Sequence, residues 1–112
     1  MIPANDPGKG VTMYGLIGKM RAKPGKREEL LNIFLRSTGS MPGCLSYVVA
    51  KDPADADAIW ITEVWDNEAS HKGSLALPQV RAAISEAMPM IAGFDISTPV
   101  EPVGGVGLLP LP

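Results

Sequence analysis

The chain has 112 residues, with 10 Lys and Arg against 12 Asp and Glu and a net charge of −2; this is room for one domain, and no sequence-wide basic field draws it to nucleic acid or anionic lipid. Hydrophobic residues make up 46%, enough for a core, yet a chain this small buries only roughly two-thirds of its surface when it folds alone, so a partner subunit would help. The one cysteine, Cys44, rules out an intrachain disulfide and fits a reducing compartment, and no stretch approaches the roughly 20 apolar residues that span a membrane.

Met1 to Gly10 has neither a basic n-region nor an apolar h-region, so no secretory signal is expected and the cytoplasm is the default location. Its Asn5-Asp6-Pro7-Gly8 run reads as a turn within a flexible arm over 1–10. Val11 to Arg21 is the first strand, apolar on both faces through Met13, Tyr14, Leu16, Ile17 and Met20. Lys23-Pro24-Gly25-Lys26 breaks it. Glu28 and Glu29 then open a helix, where carboxylates suit the positive end of the dipole. Leu30, Leu31, Phe34 and Leu35 form its apolar stripe, with Glu28, Asn32 and Arg36 on the wet side.

Gly39 to Gly43 is a second break. Cys44 to Lys51 reads as a strand and Asp52 to Asp57 as the loop after it. Ala58 to Trp65 is the clearest strand, β-branched and aromatic through Ile59, Trp60, Ile61, Thr62 and Val64. Asn67 to Leu75 favours a short helix, and Pro78 suits the first turn of another. Val80, Ile84, Ala87, Met88 and Ile91 are its expected buried side; Pro89 strains or ends it and Gly93 closes it. Phe94 to Val100 is the last strand. The domain thus spans 11–100, and 101–112 is a Pro/Gly-rich tail. The Gly104-Gly105-Val106-Gly107 run precedes no helix, so it is not a phosphate-binding loop.

The order β-α-β-β-α-β is the ferredoxin-like arrangement, an α+β fold with an antiparallel four-stranded sheet. Both helices lie on one face, and the other face is bare. That bare face carries apolar surface of the kind that drives association. Two sheets packed face to face predict a homodimer, a dimeric α/β barrel with an interior cavity.

One His and one Cys cannot make a protein-only zinc or haem cluster of the common types. There is no Gly-x-Ser-x-Gly elbow and no dinucleotide fingerprint. No metal and no cofactor is expected, and an enzyme with so little apparatus must take its reactivity from the substrate. Histidine exchanges protons near neutral pH, so His71 is a candidate base, against the plainer reading of a surface histidine. Glu63 and Trp65 alternate along one strand and share a face with Ile59 and Ile61. If that face lines the cavity, burial raises the carboxyl pKa; if not, Glu63 is a solvated or ion-paired strand residue. Tyr47 is either a ligand's hydrogen-bond partner or a core tyrosine. The six methionines read as gap-fillers.

Three segments occur together in one known family: the Lys23-Pro24-Gly25-Lys26 turn after an apolar strand, Met41-Pro42-Gly43-Cys44-Leu45-Ser46-Tyr47, and Glu63-Val64-Trp65-Asp66-Asn67-Glu68-Ala69. Over roughly Thr12 to Ser97 the chain resembles the antibiotic-biosynthesis-monooxygenase family, including its quinol-monooxygenase-like members. The resemblance implies a dimeric α/β barrel that oxidises hydroxylated aromatics, quinols or anthrones, with O₂ and without metal or flavin. The substrate's anion reduces O₂, and the protein supplies a dry pocket, a proton acceptor and donors for oxyanions. His71 or Glu63 would then be the catalytic base, with Trp65, Tyr47 and Ser74 as substrate-binding positions. Ser74 stands where many relatives carry a His. Arg81-Ala82-Ala83-Ile84 holds no haem-ligating His, so haem degradation is not implied. The family also includes isomerases and proteins with no known reaction, so a small-ligand binder or an isomerase on the same barrel is the alternative. Trp65 is expected to border the cavity on the face opposite the helices.

Overall fold

A strand that is apolar on both faces belongs in the middle of a sheet, and the two such segments of this chain are its central strands. The computed structural model describes residues 12–108, with β1 at Tyr14–Ala22, α1 at Arg27–Ser37, β2 at Cys44–Lys51, β3 at Ala58–Trp65, α2 at Glu68–Ser74, α3 at Pro78–Ala87 and β4 at Ile91–Val100. The sheet order is β2-β3-β1-β4, antiparallel throughout. This is the expected α+β, ferredoxin-like fold. The arm expected over 1–10, Val11 and the end of the tail lie outside the described residues. Among the described residues no helix is long and apolar enough to cross a membrane.

β2 and β3 keep the bounds read from their β-branched runs. The helix stripes do not. In α1 the buried residues are Leu30, Leu31 and Ile33, while Leu35 is 59% exposed. At 3.6 residues per turn its apolar residues span more arc than one sheet face can cover, and Leu35 falls outside it. In α3 the buried pair is Ala83 and Ala87, whereas Ile84 and Met88, expected inside, are 41% and 53% exposed. Two alanines a turn apart let the helix approach the sheet closely, which turns the bulkier side chains to the rim. Gly93 does not close α3. A single 3₁₀ turn over Met88–Met90 ends the helix, and β4 already starts at Ile91. Register shifts in the β1–β4 pairing accommodate this early start.

Strand alternation then sorts the sheet into two faces. Ile59 and Ile61 pack with Ala22, Leu30, Leu31, Ile33, Ala83 and Ala87 in the core under the helices. Glu63 and Trp65 continue that same face. The other face carries Ile17, Val48, Trp60, Val64, Ile96 and Val100 with no helix over them, and Val48, Ile96 and Val100 are exposed. Gly15 also lies there, and a Cβ on it would come within 2.9 Å of Pro102 and 2.7 Å of Val100. Glycine at that position is what lets the start of the tail cross the sheet.

Candidate active site

The site begins with a turn. Gly43 takes a φ of 84°, and its carbonyl accepts from the Asp66 amide at 2.8 Å, which ties the start of β2 to the end of β3. A Cβ on Gly43 would meet Ser70 Oγ at 2.5 Å and Asp66 Oδ1 at 2.6 Å, so glycine lets α2 seat against this turn. Asn67 caps α2, its Oδ1 accepting from the Ser70 amide at 2.8 Å. These contacts set the rotation of a two-turn helix and bring His71 over the ends of β1 and β3. The imidazole lies 5.3 Å from the Tyr14 ring and meets Trp65 edge-on at 5.6 Å.

Beneath it is a chain of polar contacts. Trp65, 1% exposed, donates Nε1–H to Glu63 Oε1 at 3.0 Å. The same oxygen lies 3.9 Å from His71 Nε2. Desolvation raises the Glu63 pKa above the usual carboxylate range, against the opposing pulls of the Trp65 hydrogen bond and His71. Tyr47 pairs directly across the sheet with Glu63. Its phenol is pushed well above the ordinary tyrosine range, first by burial and then by the Glu63 and Cys44 charges. It therefore stays a neutral hydrogen-bond donor.

These groups line a cavity of about 120 Å³ between the sheet and the helices, with Phe34, Val80, Ala83 and Ile84 in its remaining walls. Ser74 lines it as well; it is buried, and its hydroxyl donates to the His71 carbonyl at 2.6 Å. His71, Glu63, Trp65, Tyr47 and Ser74 thus share one cavity wall. The side of the sheet is the correction. Trp65 was expected opposite the helices, and the cavity instead lies on the helix face, lined by residues of this one chain. The reason is continuity: Trp65 shares its face with Ile59 and Ile61, and the helices cover those residues.

The sequence reading missed Tyr14, which was assigned only to a buried strand. Its partner in the β1–β3 register is Trp65, and that pairing is what places it against His71. Among the described residues no group of three or more His, Cys, Asp or Glu is placed to hold a metal ion.

Residues 13–86 match the family model of the antibiotic biosynthesis monooxygenases. A crystal structure of a candidate antibiotic biosynthesis monooxygenase from Chloroflexus aurantiacus superposes with a TM-score of 0.85 at 60% identity, covering 87% of this chain and 99% of that one. A cofactor-independent oxygenase from Streptomyces nogalater superposes at 0.72 with 11% identity, covering 86% and 98%, which is a likeness of fold. An uncharacterised protein from Synechocystis sp. is 27% identical over 78 residues, 67% of this chain and 53% of the relative, so the chain spans about half the length of that curated relative.

Proposed function

The chain belongs to the antibiotic biosynthesis monooxygenase family, and from that premise we propose that it oxidises a hydroxylated aromatic, of quinol or anthrone type, with O₂ and no cofactor, as a cytoplasmic homodimer. The observation that carries this reading is the Trp65–Glu63–His71 cluster in the wall of a largely apolar cavity. A phenol must lose its proton before it gives an electron readily to O₂. His71 takes that proton. Glu63, held by Trp65, stabilises the imidazolium that forms, and Tyr47 donates to the developing oxyanion. The apolar walls keep water from the reduced-oxygen intermediate. One atom of O₂ then enters the ring and the other leaves as water.

The bare apolar face of the sheet supports the homodimer, since a face this apolar is left open only where something packs on it. The test is O₂ uptake with a panel of quinols and anthrones, in metal-free buffer with catalase present, followed by mass analysis after isotopically labelled O₂. Uptake with one labelled oxygen in the product is expected. If no member of the panel is consumed, the protein is a binder or an isomerase instead.

A further inference from the structure

We propose that the substrate is a single-ring diol, a benzenediol with at most small substituents, and that fused-ring quinols and anthrones are excluded by size. This rests on the oxygenase reading above and narrows it. The cavity measures about 120 Å³. A dry protein cavity of about 150 Å³ accommodates benzene, whereas sites for drug-sized ligands run to roughly 300–1,000 Å³. The cavity is of the one-ring class, a single benzenediol comes close to filling it, and a second fused ring held within the walls must displace them. The inner walls resist that. Trp65 is 1% exposed and hydrogen-bonded to Glu63, and Ala83 belongs to the helix–sheet core. Shifting them disturbs close-packed contacts on both sides.

The polar lining points to a diol. Three hydroxyls border the cavity besides Tyr47, and all three give their protons to helix carbonyls: Ser37 to Phe34, Thr38 to Leu35 and Ser74 to His71. What remains is one neutral donor, Tyr47, directly across the strand pair from one proton-accepting pair, Glu63 and His71. One substrate hydroxyl gives its proton to the pair, and the second oxygen accepts from Tyr47. Two electrons leave as the diol becomes a quinone and two more as a ring C–H becomes C–OH. Together they reduce one O₂: one atom stays on the ring, and the other leaves as water with the two hydrogens lost. At the solvent side the rim is apolar, with Leu75 and Ile84 47% and 41% exposed, which suits entry of a flat apolar ring.

The experiment compares O₂ uptake with benzenediols, naphthalenediols and anthrone, and in parallel the thermal shift given by phenol, naphthol and anthrol, which report binding without turnover. Benzenediols are expected to have the highest kcat/KM, with two-ring diols lower by roughly a hundredfold, a steric misfit of the size pockets commonly enforce. Phenol alone should raise the melting temperature. Ile84→Ala, a change at an exposed position that leaves the core intact, should recover part of the two-ring activity. Equal or better turnover of the fused-ring compounds overturns the size assignment while the oxygenase reading stands. Absence of turnover with every diol overturns the oxygenase reading. In that case the thermal shifts still decide the size assignment, which fails if naphthol or anthrol stabilises the protein as well as phenol does.

Discussion

Glu63 shows how one residue's setting changes its chemistry. Its pKa lies above the ordinary 4.5 because burial penalises the carboxylate, so the native state holds that proton more tightly than the unfolded chain does. The stabilisation is complete below about pH 4.5 and is lost as the pH rises through the folded value. Glu63→Gln keeps the shape and cannot ionise. Its melting temperature should therefore match the wild type near about pH 4 and exceed it near about pH 8; a less stable variant at the higher pH would show that the carboxylate is net favourable there. Catalysis should respond in the opposite direction. His71→Ala should lower kcat by about 10²- to 10⁴-fold near neutral pH, the usual worth of a positioned base. The loss should shrink at high pH, where the substrate ionises unaided. If Glu63 acts through His71, adding Glu63→Gln to His71→Ala should cost little more than His71→Ala alone, because residues that work as a unit are not additive. Rates for both single variants that match the wild type from about pH 6 to 9 would remove both residues from the reaction.

Among the elements, α2 is the weak one. Seven residues are too few for a helix to hold by itself, so its cap and its seat do the holding. Asn67→Ala removes the side-chain acceptor for the Ser70 amide and should cost about 0.5–2 kcal/mol, read as a lower melting temperature. Gly43→Ala should cost more than about 1 kcal/mol, because it combines a left-handed φ with a clash against Ser70 and Asp66. Both variants should also lower turnover of a quinol, since they loosen the helix that carries His71. Unchanged activity in a clearly destabilised Asn67→Ala protein would mean that the position of α2 does not matter to the reaction. Asn67 and Pro78 were legible as helix starts because capping and the N1 preference act within a few residues. The buried stripes of α1 and α3 were less so. Which of Leu30 to Leu35 meets the sheet depends on the roll of the helix, and which of Val80 to Met88 does so depends on how closely two alanines let it approach.

At the scale of the whole molecule, the sheet face without a helix sets the proposed assembly. Val48, Ile96 and Val100 are exposed there beside Ile17 and Val64, and a second copy of the same face is the proposed cover. Sedimentation should find a dimer at micromolar concentration, with at least about 800 Å² buried on each subunit. Val48→Lys puts a charge on that face at an already exposed position, so it should give a folded monomer, because an unpaired charge at an interface core is costly. A wild-type monomer, or a Val48→Lys dimer as tight as the wild type, would refute this interface.

The amino-acid order alone determined the succession of strands and helices, the bounds of β2 and β3, and the fact that Glu63 and Trp65 share a face, because a period of two residues and the preferences of turn residues are local properties. It also singled out His71, through the scarcity of any other residue able to exchange protons near neutrality. Only the tertiary structure decided which face of the sheet the helices cover. β3 is apolar on both sides, Ile59 and Ile61 on one and Trp60 and Val64 on the other, so its pattern is the same whichever way it faces. The helices chose the Ile59 side, and with that choice Trp65, Glu63 and Tyr47 came to line a cavity between the helices and the sheet, Tyr14 came against His71, and the other side of the sheet was left without a helix.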